Sequence, residues 1–246
     1  MKNKKPNGYI IYKGKSLLDK KPIIVIALAK SRNTKTGNMV QSYILREDID
    51  PREANKTGED FSICGNCPLK GEPHNDPTRA TAKNRECYVN LGQGVLIAYQ
   101  QYKKGAYPMA TSDQIKELGR GRVVRLGTYG DPASVPRKIW DLLLDDCAHH
   151  TGYSHQHKLK DSYQDITMKS VETVEQAFKS WAQGVRTFRT INDVKEIVKG
   201  QEILCPASKE AGRIKTCATC RLCSGSEYNK TNSEGVIKNN VAIVLH

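Results

Sequence analysis

Seven of the eight cysteines fall into two groups whose spacing can do chemistry. Cys217, Cys220 and Cys223 are separated by two-residue gaps, and Cys205-Pro206 can add a fourth sulfur from a neighbouring strand end. Such a run suits a cubane iron–sulfur cluster, because each turn of the loop aims a sulfur at a different iron. Zinc would accept the same four sulfurs tetrahedrally. The other group is Cys64 and Cys67, two residues apart, with Cys87 after a further nineteen. Three thiolates can hold a four-iron cluster and leave one iron open to chemistry. Alternatively His74 completes a Cys3His zinc site. Cys147, in Asp145-Asp146-Cys147-Ala148-His149-His150, reads as a buried thiol.

Other chemistry-bearing types are less patterned. His155-Gln156-His157 places two histidines on one face of a continuing strand, a spacing that occurs in metal sites and in metal-dependent nucleases. Glu172 and Glu175 read as helix-face charges. Lys13, Lys15, Lys20, Lys21, Lys30, Arg32 and Lys35, with Tyr9 and Tyr12, could track a phosphate backbone. No Walker-type or dinucleotide glycine fingerprint is present.

The 246 residues carry a formal net charge of +13. That charge favours an anionic partner such as nucleic acid, a phosphorylated substrate or a membrane surface. The basic N-terminus lacks a signal-type apolar core, and the longest apolar run, residues 23–29, is too short to span a bilayer. The expectation is a cytoplasmic protein with no membrane partner and reduced cysteines, in which clustered thiols read as metal ligands.

The elements that must position these residues follow from pattern. Residues 9–12 and 22–28 are β-branched runs that read as a hairpin, and residues 40–45 as a third strand. Residues 48–60 are polar, contain Pro51 and Gly58, and predict a loop. Val95, Leu96, Tyr99 and Tyr102 share one helical face. Thr111-x-x-Gln114 and Thr173-x-x-Gln176 resemble capping boxes. Residues 123–124 feed a turn at Gly127, Gly130, Asp131 and Pro132. Pro136 then opens a helix striped by Ile139, Trp140, Leu143 and Leu144. Short strands are expected at residues 151–156, 165–171, 185–191, 202–206 and 241–245, with a short helix over 193–199. From residue 122 onward strands and helices alternate, the signature of a parallel β/α architecture. Residues 1–39 read as a β-hairpin extension, and residues 40–246 as one compact cysteine-rich domain.

Several phrases carry a resemblance: Ser62-Ile63-Cys64-Gly65-Asn66-Cys67-Pro68, Cys87 to Gln93, Arg125-Leu126-Gly127-Thr128-Tyr129-Gly130-Asp131-Pro132, Thr151 to Gln156, and Cys205-Pro206-Ala207-Ser208. Together they resemble an uncharacterised cysteine-rich family of bacteriophages and mobile elements. That would place the protein in the cytosol of an infected host cell. More distantly, the order of parts resembles the radical S-adenosylmethionine partial barrel. There a cysteine loop follows the first strand, and a Gly-Gly-Glu-Pro-like motif ends the second.

The resemblance implies an α/β partial barrel of mostly parallel strands with cysteine-ligated metal loops. It implies a reactive 4Fe-4S cluster on Cys64, Cys67 and Cys87, and an auxiliary cluster on Cys205, Cys217, Cys220 and Cys223. Gly130, Asp131 and Pro132 would bind S-adenosylmethionine. Two departures stand out: the spacing is C-x2-C-x19-C where the superfamily has C-x3-C-x2-C, and Tyr129 stands where the first glycine would be. The alternative expectation is a non-enzymatic zinc- or iron–sulfur-stabilised module that binds nucleic acid.

Overall fold

The computed structural model describes residues 6–30, 34–156, 163–226 and 240–245. The chain is mixed α/β. β1 (Gly8–Lys15) and β2 (Pro22–Leu28) form the expected antiparallel hairpin, and β3 (Val40–Arg46) pairs antiparallel with β2. β2 lies between two strands and reads Ile23-Ile24-Val25-Ile26-Ala27, all wholly buried. A strand apolar on both faces must be covered on both, so the hairpin continues into the sheet and core of the following strands.

The next segment departs from the sequence expectation. Residues 48–60 predict a loop, but α1 (Pro51–Thr57) forms there, followed by α2 (Phe61–Cys64). The ends of α1 explain it. Asp50 caps the N-terminus through the Arg52 N–H, Pro51 takes the first turn, and Gly58 closes the C-terminus in a left-handed conformation. Only Pro51, Ala54 and Asn55 are buried, so α1 shows no apolar stripe that periodicity could detect.

After a short π-helical turn, α3 (Leu96–Lys103) buries Ala98 and Tyr99, with Val95 buried just before it. α4 (Ser112–Gly119) starts at the Thr111–Gln114 capping box that its sequence advertises. β4 (Val123–Tyr129) pairs parallel with β3. α5 (Arg137–Leu144) buries Ile139, Trp140 and Leu143. The Trp140 indole N–H donates to the Pro132 carbonyl at 2.9 Å, tying the helix to the turn after β4.

β5 (His149–Thr151) pairs parallel with β4, and β6 (Tyr153–Ser154) follows with Gly152 alone between them. β7 (Met168–Val171), α6 (Val174–Trp181), β8 (Thr187–Ile191) and β9 (Glu202–Leu204) come next. α6 begins at the second expected capping box, Thr173–Gln176. α7 (Cys217–Cys220) and β10 (Asn240–Val244) complete the chain. The two sheets run β1-β2-β3-β4-β5 and β6-β7-β8-β10-β9. Every pairing in the second is parallel, as are β3–β4 and β4–β5 in the first. Among the described residues, no helix is long and apolar enough to cross a membrane.

Candidate functional site

Parallel strands put their carboxyl ends on one edge, and residues just beyond such ends are held firmly while their side chains stay accessible. The cysteine loops attach there. The first lies between β3 and β4, and the second follows β9.

Cys64, Cys67 and Cys87 line one cavity, together with Gly127, Gly130 and Asp131 at the end of β4, Tyr153 and His155 at the end of β6, and Ser170 of β7. Residues distant in sequence therefore meet there. Cys64 ends α2, and Gly65, at φ +54°, turns the chain toward Cys67. A side chain at Gly65 would collide with the Gln156 amide. That amide donates to the Cys64 carbonyl at 3.0 Å, so Gln156 clamps the loop from β6. Cys87 is held differently. The Arg85 guanidinium donates to the carbonyls of Cys87 (2.8 Å) and Val89 (2.6 Å).

Cys205, Cys217, Cys220 and Cys223 line a second cavity with Thr151, Tyr153 and Val241. The Cys205 N–H donates to Ala242 of β10. The N–H groups of Cys217 and Ala218 donate to Lys35 and Thr36, between β2 and β3. The Arg186 guanidinium donates to the carbonyls of Leu222 (2.8 Å) and Gly225 (3.0 Å), on either side of Cys223. Gly152 N–H donates to the Cys223 carbonyl, so the break between β5 and β6 is where this loop docks. The free volumes differ: about 100 Å³ beside the first group and about 20 Å³ beside the second. The second holds little more than about one water. The first has room for a ligand beside its sulfurs. Tyr153 is the wall common to both.

Cys64, Cys87 and Cys223 sit where a lone thiolate is disfavoured. Burial pushes Cys64 well above the ordinary thiol range, and Asp60, Cys67 and Cys87 add to the effect. Burial likewise raises Cys87. Cys223 is pushed up to about 12 by burial, with Cys205, Cys217 and Cys220 adding to it. Neighbouring buried sulfurs that repel one another's ionisation are a donor set that a bound cation would stabilise. Among the described residues, no three or more His, Cys, Asp or Glu side chains are gathered as the ligand set of a single metal ion. The sulfurs share cavities without closing on one point.

Asp131 lines the first cavity and is buried. Its carboxylate accepts from the N–H groups of Ala133 (3.0 Å) and His155 (2.8 Å), joining the β4 turn to the β6 end. Burial raises its carboxyl, and those two bonds oppose the rise. Gly130 also lines the cavity, whereas Pro132 is buried behind it and accepts the Trp140 bond.

His155 Nε2 lies 2.7 Å from Glu172 Oε1 and 4.0 Å from Cys67 Sγ. Burial opposes charge on this ring, but the Cys67 and Glu172 contacts outweigh it and push the imidazole up to about 10. Glu172 was expected on a helix face; it precedes α6 and faces the cavity residue instead. His157 lies outside the described residues. His74 is not brought to the cysteines. Its two ring nitrogens engage the Thr81 carbonyl and the Asp76 N–H. Lys13 pairs with Glu47 at 2.7 Å, and Lys35 sits 5.6 Å from the Tyr88 ring centre.

Sequence reasoning missed Arg125, Gln156, Glu172, Arg85 and Arg186. Arg125 and Gln156 lie inside the phrases that carry the resemblance, but burial beside a cavity and long-range hydrogen bonding have no local signature. No protein-family model, no curated protein and no solved structure matches the chain.

Proposed function

We propose that this chain is an iron–sulfur protein on a partial β/α barrel, similar in plan to radical S-adenosylmethionine enzymes. Cys64, Cys67 and Cys87 would hold the reactive cluster, and Cys205, Cys217, Cys220 and Cys223 an auxiliary one. The carrying observation is that the first three cysteines line one cavity with Gly130 and Asp131 of the β4 end. The contrast between a roomy three-cysteine cavity and a tight four-cysteine one supports an open centre and a closed one.

A polynuclear cluster also suits sulfurs that converge without meeting, because each binds a different iron. When bound, such a cluster supplies one-electron chemistry to a ligand at its open position. The protein's own contribution is orientation. Gln156 and Arg85 fix the loop that presents the sulfurs, Asp131 ties the β4 turn to β6, and Gly130, at φ +85°, lets that turn pack closely on Ile44. A nucleic acid or nucleotide-bearing substrate fits the net charge of +13.

Anaerobic, reduced protein should consume S-adenosylmethionine. Cys64→Ala should abolish that turnover. Iron-loaded wild-type protein that leaves S-adenosylmethionine intact after reduction overturns the enzymatic reading. Salt-sensitive nucleic-acid binding by the same inert protein would favour a metal-stabilised binding module.

A further inference from the structure

Two side chains of the first cavity carry buried polar atoms without hydrogen-bond partners. Arg125 is 9% exposed, and among the described residues its guanidinium makes no hydrogen bond or ion pair; its Nε is buried and unsatisfied. The ring of Tyr153, 5.8 Å away, is its close companion. Tyr129 is 3% exposed, and its hydroxyl is likewise buried without a partner. Both residues line the cavity. Burying a guanidinium Nε and a phenol hydroxyl without hydrogen-bond partners is costly.

β4 is built to bring the two together. Gln41 pairs with Arg125 and Tyr43 with Tyr129, so two steps of β3 face four steps of β4. The extra residues form a bulge at Gly127, whose φ is +60° and where a side chain would strike the Gly130 carbonyl. Ser42 seals it: its hydroxyl donates to the Arg125 carbonyl at 3.0 Å and accepts from the Gly127 N–H at 2.9 Å. Two steps of β3 span about 7 Å, where four steps of a regular strand would span about 13 Å, so the bulge shortens β4 between the two cavity-lining residues. Bulges next to functional sites re-aim side chains in this way.

We propose that the cavity binds an oxyanion group of the substrate, phosphoryl or carboxylate, on the Arg125 guanidinium with the Tyr129 hydroxyl as second donor. The guanidinium presents a planar fork of N–H donors that matches both oxyanions, and the phenol adds one more. The chain's positive charge would draw such a ligand in. The inference names the substrate's anionic part within the reading above. It rests on Arg125 and Tyr129 and not on iron, so it can fail with clusters present and hold if the metal is zinc.

The test is titration of full-length, anaerobically purified protein with inorganic phosphate and, separately, acetate, followed by calorimetry. One saturable site is expected. Arg125→Gln should weaken it at least about tenfold and Tyr129→Phe about threefold to tenfold, while Arg125→Lys retains part. Tighter phosphate identifies a phosphoryl group, and tighter acetate a carboxylate. Absence of saturation by either probe in the wild type overturns the proposal. So does unchanged affinity in a folded Arg125→Gln protein, or a change confined to its metal spectrum, which would make Arg125 a counter-charge for Cys217 and Cys223. Should Arg125→Gln fail to fold, the wild-type titration and Tyr129→Phe decide, and unchanged affinity in Tyr129→Phe defeats the two-donor site.

Discussion

The Arg125 guanidinium carbon lies 5.8 Å from the centre of the Tyr153 ring, and that ring separates the two cysteine cavities. Tyr153 also packs on Phe188, with ring centres 4.3 Å apart, and its hydroxyl pulls the Cys223 thiol down against the rise caused by burial. Ring and hydroxyl therefore have separable roles. Tyr153→Phe keeps the wall and should cost about 0.5–1.5 kcal/mol in denaturant unfolding. Tyr153→Ala opens one cavity into the other and should cost about 3–5 kcal/mol. Equal costs for the two would show that the ring is not a structural partition.

Arg186 holds the carbonyls that flank Cys223. Arg186→Met leaves two buried carbonyls without those donors. It should lower the metal held by the second cysteine group and leave the first group loaded. Metal analysis in a Cys64→Ala/Cys67→Ala/Cys87→Ala background reads the second group alone. Full retention there would show that the guanidinium does not organise the loop.

His150 is buried, and burial lowers its imidazole below the ordinary value despite bonds to the Ser224 and Ile166 backbone. A histidine with a depressed folded value contributes full stability above its unfolded value near 6.5. As pH falls below that, the unfolded chain takes the proton first and the fold weakens, by at most about 1.4 kcal/mol per pH unit for one proton. His150→Gln should flatten this part of the profile as pH falls below about 6.5. An unaltered slope would assign the acid sensitivity to other groups.

Much of the framework was legible because it is local. The Thr111–Gln114 and Thr173–Gln176 boxes mark helix starts by side chains three residues apart, and both helices begin there. The β-branched run at residues 22–28 and the Trp140 stripe likewise carry their structure in their own pattern. α1 was not legible, because end caps rather than an apolar face define it. The grouping of cysteines was visible as spacing. That Cys87 shares a cavity with Asp131 was suggested only by resemblance, since it depends on β3 and β4 pairing in parallel. Gln156 and Arg186, which hold the cysteine loops across long sequence separations, had no local sign at all.

Arg189 and Glu202 form a buried pair at 2.6 Å, linking β8 to β9 across β10. Their side chains are 3% and 0% exposed. Glu202→Ala leaves a guanidinium buried without its carboxylate and should cost about 3–5 kcal/mol. Replacing both, as Arg189→Met with Glu202→Leu, should restore most of that stability in chemical denaturation. A double variant as unstable as Glu202→Ala would show that the site needs the pair's other hydrogen bonds, to Glu196 and Val198.

The central claim is that both cysteine groups hold iron–sulfur clusters. Its most direct test is the iron, zinc and acid-labile sulfide content of anaerobically purified protein. The expected result is brown protein with about eight irons and eight sulfides per chain. About four of each should remain when Cys64, Cys67 and Cys87 are replaced. A colourless protein that holds zinc and no labile sulfide would contradict the claim.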